Sequence, residues 1–352
     1  MKKKYSVSPY KRWHDSRTKK ISRRKKRDKK YNPDKGTSPI YGKSASEVVT
    51  RNPLVPPSNL SIIHNSVQCL IFFKRLRAQR WVNKQGNYLF VILDLRNVSY
   101  VDFSTICILI AIIGELAQRK IYIRGNFPKN SEAKTVIEES GLLNLMRDTE
   151  GEKFPVSEKS ELLFIEKGAK KLTKEDNIRI SKMVKSTVKH LTGEENHCKQ
   201  LRTILLEICG NSIEWGGTVN KQWLIGIKYD SERVIFTITD VGKGILNTLN
   251  RKFKHVLSDL IYSDVEILQN AFVKKYGSST QEINRNKGLP AIKKGFDDGL
   301  LKDLKVLTNN VILHFDNDKK SLSFIKQRGF DGTLYRWSIT KESLETNFRT
   351  SA

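Results

Sequence analysis

The stretch RVIFTITDVGKGI, residues 233–245, reads as an apolar strand that stops at a carboxylate and then passes two glycines spaced by one residue. Asp and Gly are turn formers, so a tight turn accounts for the pattern by itself. Glycine also lets a backbone approach a neighbour closely, because it has no side chain. Which use applies depends on what else the chain supplies, and the next informative stretch lies upstream. In LLEICGNSIEWGG, residues 205–217, Glu207 and Asn211 stand four apart and so share one helix face. Their neighbours Leu205, Leu206, Ile208, Cys209 and Ile213 leave little polar surface. A carboxylate there can take a proton from water or a hydroxyl, and an amide oxygen can ligate a hard cation such as Mg²⁺. Plain solvent exposure is the ordinary alternative for both.

Downstream, GLPAIKKGFDDG at 288–299 reads as a short helix opened by Gly288, and helix N-terminal N–H groups suit phosphate. Gly332–Thr333 precedes the last strand. Around these residues the pattern predicts helices over about 174–192 and 196–215, strands at 222–229 and 233–240, a long connection over 246–284, and three closing strands at 303–308, 310–316 and about 333–339. Helices on one side of an antiparallel sheet make a two-layer α/β sandwich.

The order Glu-x3-Asn, Asp-x-Gly-x-Gly-Ile, a long lid, a Gly-Leu box and then Gly-Thr resembles the GHKL (Bergerat-fold) ATP-binding domain of gyrases, ninety-kilodalton heat-shock chaperones, sensor histidine kinases and anti-sigma serine kinases. The resemblance spans about 174–345, and it implies ATP and Mg²⁺ as ligands. By it, Asn211 would hold Mg²⁺ against the phosphates and Asp240 would take the adenine amine. Gly242 and Gly244 would let the backbone pass close to the nucleotide, and Thr333 would support Asp240. Glu207 would orient or deprotonate the attacking group. Gly277, Ser278, Ser279 and Thr280 sit where such lids touch phosphate, and Gly288 opens the second glycine box. That box departs from the family's Gly-x-Gly-Leu: in NKGL, 286–289, Asn286 replaces the first glycine, and Lys287 beside it could reach a phosphate or stay solvated. Gyrase-type members continue into a transducer domain, whereas this sequence runs about twenty residues past its Gly-Thr. Sensor kinases carry a phospho-accepting His followed by an acid; His14–Asp15 is the one such pair here, and it lies in the N-terminal arm. The anti-sigma serine kinase type is therefore expected.

The preceding segment fits that choice. VILDLRNVSYVDFSTICILIAII, residues 91–113, resembles a STAS domain, the fold of anti-sigma-factor antagonists: a strand, an Asp, and a hydroxyl two residues later leading into an apolar helix. The match covers about 58–148. By this resemblance Ser104, two after Asp102, is a candidate phosphosite; a helix N-cap explains the serine equally well. Strand 88–95, helix 104–118, strand 120–125 and helix 131–146 make a small α/β unit, entered through the proline-rich 51–60 and a helix over 61–81. The expected organisation is a basic arm over 1–50, a STAS-like domain over 51–150, a linker over 151–173 and a GHKL domain over 174–352.

Charge is unevenly spread. Of a net +27, residues 1–45 carry 17 Lys or Arg against three acids, a net +14, centred on KKISRRKKRDKK at 19–30. With no apolar periodicity the arm is expected to be disordered. Its interleaved Tyr5, Tyr10, Trp13 and Tyr31 suit phosphate neutralisation with base stacking, so nucleic acid is one partner; a solvating or protein-binding tail and an anionic membrane surface are the others. Cys69, Cys107, Cys198 and Cys209 show no metal-ligand spacing, and core packing in a reducing compartment is expected. No apolar stretch follows the basic N-terminus as a signal peptide would need, and ICILIAII at 106–113 is too short to span a bilayer. The two resemblances together imply a regulatory protein that binds ATP–Mg²⁺ and acts on a protein partner as a slow ATPase or Ser/Thr kinase, and a cytoplasmic, bacterial setting is expected. The alternatives are a non-catalytic ATP-binding module and a nucleic-acid factor gated by ATP.

Overall fold

The computed structural model describes residues 47–50, 52–80, 88–155, 163–168, 171–215, 222–249, 263–273, 288–325 and 328–351. The basic arm 1–45 lies outside them, as do Gly277, Ser278, Ser279, Thr280, Asn286 and Lys287. The fold is mixed α/β.

The N-terminal part has a four-stranded parallel sheet in the order β1 (Glu47–Val49), β3 (Tyr88–Leu93), β5 (Ile121–Gly125), β6 (Met146–Arg147). A short parallel pair, β2 (Asn59–Leu60) and β4 (Tyr100–Val101), stands beside it. Helices α1 (Ser66–Arg77), α2 (Phe103–Gln118) and α3 (Ser131–Glu139) connect the strands. The helix expected to run over 131–146 stops at Glu139. Gly141, at φ 72°, turns the chain into a 3-10 turn over Leu142–Leu145, and β6 follows.

α2 organises everything after it. Its sequence, FSTICILIAIIGELAQ, is apolar nearly all the way round, which marks a helix buried on more than one side. One side packs on β5 and the Leu142–Leu145 turn. The other packs on β8 (Trp223–Tyr229) and β9 (Arg233–Asp240) of a second sheet. The N-cap is Asp102, not Ser104: its carboxylate accepts from the Thr105 N–H at 2.8 Å and the Thr105 hydroxyl at 2.9 Å. The Thr105 hydroxyl in turn accepts from the Ile62 N–H at 2.7 Å, pinning the loop before α1.

The second sheet has seven strands, all antiparallel, in the order β12 (Leu322–Ser323), β11 (Val311–His314), β10 (Lys302–Asn309), β13 (Phe330–Thr340), β9, β8, β7 (Leu163–Gly168). β7 comes from 151–173, expected as a linker. One face carries Trp223, Ile225, Phe236, Ile238, Val306 and Trp337 against a helical layer. That layer contains α4 (Lys174–Thr192), α5 (Lys199–Trp215), α6 (Asp264–Phe272), α7 (Gly288–Asp297) and α8 (Lys341–Ser351). α4 begins at a capping box of Thr173 and Asp176 and ends at Gly193 in the left-handed region, φ 83°.

The other face carries Leu224, Leu307, Ile312 and Leu334 into the same core as α1 and α2. The sheet is therefore covered on both sides, a third layer beyond the expected two, and Glu47–Ala352 forms one compact unit. Close approach of α2 depends on Gly226. A Cβ there would overlap Cys107 Sγ and stand 3.0 Å from Phe103 Cε1. The four cysteines are free and buried. No described helix is long and apolar enough to cross a membrane.

Gly226→Ala should lower stability by about 1–3 kcal/mol through overpacking, read as a fall in denaturation midpoint. Cys107→Ala in the same chain should recover part of the loss, since it removes the overlapped sulfur. Additive losses would mean that the two sites do not meet as described.

Candidate functional site

The residues singled out in sequence lie at one end of the seven-stranded sheet. Asp240 is the last residue of β9, and the β9–β13 register sets Thr333 directly opposite it. The carboxylate is 6% exposed. Its Oδ1 accepts the Gly242 N–H at 2.8 Å, and its Oδ2 lies 3.1 Å from the Ser212 hydroxyl. Burial pushes the Asp240 pKa up from 3.8 to about 6, opposed by those two hydrogen bonds and by the charge of Arg77. Ser212 is the residue after Asn211, so α5 touches Asp240 directly. The helix leaves Glu207 and Asn211 half-buried on the side facing α7. There Gly288 comes in so closely that a Cβ would stand 2.6 Å from Asn211 Nδ2 and 3.2 Å from Glu207 Oε2. This is a close backbone approach that glycine permits. The arrangement joins a half-buried carboxylate and amide to the first turn of α7, with the buried acid Asp240 hydrogen-bonded to the next residue, Ser212.

The glycines of the loop have internal uses. Gly244 adopts φ 77°, and the Asn309 side chain occupies the space where a Cβ would project. Asn309 Nδ2 donates to the Lys243 carbonyl at 2.8 Å, while the Ile245 N–H donates to Thr308 Oγ1 at 2.8 Å. Thr308 Oγ1 also donates to the Gly332 carbonyl at 3.0 Å. The loop after β9 is thus clamped by the end of β10, and the turn reading of TDVGKGI is met within the chain. Thr308 and Asn309 were absent from the sequence reading. Two adjacent asparagines between two strands, one of them at positive φ, were the available signal.

Ser212 was missed because it sits beside a more conspicuous asparagine. Arg77 was missed because it ends a helix far away in sequence. Its guanidinium pairs with Glu115 at 2.7 Å and donates to the carbonyls of Val241 at 2.8 Å and Asp331 at 2.6 Å. It therefore fastens α1 to the residue after Asp240 and the residue before Gly332. A cavity of about 210 Å³ beside this clamp is lined by Arg77, Glu115, Arg119, Phe330 and Asp331.

Ser104 is apart from this cluster. It is 3% exposed, and its hydroxyl lies 2.8 Å from Thr237 Oγ1 in the interface between α2 and β9. Modification there would require α2 to lift from the sheet. Among the described residues no group of three or more His, Cys, Asp or Glu is arranged to hold a metal ion.

The buried acid gives a pH signature. Folded Asp240 keeps its proton up to about pH 6, while the unfolded chain releases it near 3.8. The stability this contributes is full below about pH 4 and is lost as pH rises through 6. Relative to Asp240→Asn, the wild type should lose on the order of 2–3 kcal/mol across that window and stay flat above it. Arg77→Met should move the window upward, because it removes a charge that opposes burial. Parallel melting-temperature profiles for wild type and Asp240→Asn would contradict the burial.

Neither the family models nor the curated proteins nor the solved structures include a match to this chain.

Proposed function

We propose that the chain binds ATP with Mg²⁺ at the Asp240 end of the sheet and acts as a nucleotide-dependent switch on a protein partner. It does so by slow hydrolysis or by phosphorylating a serine or threonine. The observation that supports this reading is the convergence of Glu207, Asn211, Asp240, Gly242, Gly288 and Thr333 from four elements and a loop. The resemblance names the same residues as one nucleotide site. In this reading the buried Asp240 accepts the adenine amine and Thr333 supports it from the opposite strand. The first turn of α7 at Gly288 offers N–H groups to the phosphates. The Asn211 amide oxygen would be the chain's ligand to Mg²⁺, a hard cation that takes its remaining ligands from phosphate and water. Bound ATP–Mg²⁺ would supply the transferable phosphoryl group, and Glu207 would orient or deprotonate the attacking hydroxyl or water.

A second reading, binding without turnover, is favoured by the internal pairing of both Asp240 oxygens. The Arg77 clamp suits either reading, since it ties the loop to α1 and could pass nucleotide state to the N-terminal part. A cytoplasmic setting is part of the proposal and rests on the four free cysteines.

Calorimetry with ATP and Mg²⁺ should show binding that Asp240→Asn and Asn211→Ala remove while both variants stay folded. Wild-type affinity in both would refute the nucleotide site. Glu207→Ala should keep binding and lower phosphate release or protein labelling by about 10²–10⁴-fold; wild-type protein that binds but never turns over selects the second reading. Retention of the full chain on DNA or RNA that weakens steeply with salt, and is lost on deletion of residues 1–45, would establish nucleic acid as a partner of the arm.

A further inference from the structure

The face of the seven-stranded sheet that meets α2 changes character along its length. Across β13, β10 and β11 the row Leu334, Leu307, Ile312 is apolar and lies in the core. The next row on the same face is Thr237, Arg336, Lys305, His314, in register across β9, β13, β10 and β11. Directly opposed residues of an antiparallel pair hold their Cβ atoms about 4.5–5.5 Å apart, and like charges so placed destabilise the pair. Arg336 and Lys305 are such a pair, and both are half-buried.

Among the described residues no acid is paired with either of them. Among the described residues neither side chain forms an ion pair or hydrogen bond, and the His314 ring has no partner there either. The nearby acids are otherwise placed. Asp102 caps α2, Asp303 is exposed and lies 3.4 Å from the Ser338 hydroxyl, and Asp316 is exposed. Burial holds the Lys305 pKa below its ordinary value, with Arg336 and Lys320 adding to the effect against Asp303 and Asp316. Burial lowers Arg336 as well, helped by Arg233 and opposed by Asp102 and Asp303. His314 is lowered by burial, then by Lys305 and Lys320, against Asp316. Half-buried cations without partners are costly, and the surrounding sheet holds them in place.

We propose that this row is an oxyanion site that takes a phosphate or phosphate monoester, with Arg336 and Lys305 as its ligands and His314 and Lys320 at its rim. A guanidinium fork matches two phosphate oxygens, and an adjacent ammonium supplies a point charge. The ligand removes the repulsion between the two strands, so its binding stabilises the sheet. The site is separate from Asp240: it lies on the α2 face, three positions along β13 from Thr333.

The test uses the full chain, titrated with inorganic phosphate and with glycerol 2-phosphate against chloride at constant ionic strength. Melting temperature and the proton NMR titration of His314, assigned with His314→Gln, are the readouts. Phosphate or the monoester should raise the melting temperature and lift the His314 midpoint, and whichever acts more strongly identifies the source of the phosphoryl group. Lys305→Met and Arg336→Met should each weaken the effect at least tenfold, and Lys305→Met should melt higher than wild type when no phosphate is present. Asn211→Ala should respond as wild type does, which separates this site from the proposed nucleotide site. If Lys305→Met and Arg336→Met respond to phosphate as wild type does, or if His314 does not shift in wild type, the proposal falls. If Arg336→Met fails to fold, Lys305→Met and Lys305→Gln decide it by the same readouts.

Discussion

One buried helix joins the two sheets. α2 has no polar face to give to solvent, so burying its apolar surface requires cover on both sides. A parallel sheet supplies one side and the antiparallel sheet the other, with Gly226 setting how near the helix comes. The consequence reaches the candidate site. Because α2 holds the N-terminal part against β8 and β9, α1 ends where Arg77 can grip the carbonyls of Val241 and Asp331. Glu115 of α2 shares that guanidinium, and Arg119 donates to the Arg77 carbonyl at the end of α1. Packing of one apolar helix thus fixes a polar clamp on the loop that carries Asp240.

The candidate site is held mainly by side chains bonded to backbone. Thr308 and Asn309 fasten the Gly242–Ile245 turn, Ser212 and Gly242 share Asp240, and Arg77 takes the two flanking carbonyls. Such a network is costly to leave half-satisfied in a low-dielectric interior. Asp240 is its weak point: a carboxylate that burial drives toward neutrality, kept in place by two hydrogen bonds and a neighbouring guanidinium. A buried acid with a raised pKa and a defined set of partners is the kind of group that functional sites hold.

Much of the secondary structure was legible because local signals agreed with tertiary ones. α4 is bounded at both ends by its own caps, Thr173 with Asp176 and Gly193, so 174–192 could be read directly. β8 and β9 are buried on both faces over most of their length and show as runs rich in apolar and β-branched residues. β7 was missed because it is an edge strand in a charged stretch. α8 was missed because KESLETNFRTS is polar apart from Leu344 and Phe348. The site was half legible. Glu207, Asn211, Asp240, Gly288 and Thr333 belong to short spaced patterns, whereas Ser212 and Arg77 meet their partners 28 and 164 positions away and leave no local trace. The cap of α2 was misread by two residues, since Asp102 and Ser104 are both good caps and the tertiary bond from Ser104 to Thr237 decided between them.

The shared core also sets where this chain can be cut. A fragment beginning at α4 would retain the helical layer on one face of the sheet. The opposite face, with Leu224, Leu307, Ile312, Phe330 and Leu334, would be bare, and the β7 edge would be missing. An uncovered apolar sheet face with a newly opened strand edge is a template for association. The C-terminal part is therefore not a freely transplantable module: the cover of its apolar sheet face is lent by residues upstream of it, and changes to the surface of α2 would be felt as aggregation of the half that carries Asp240.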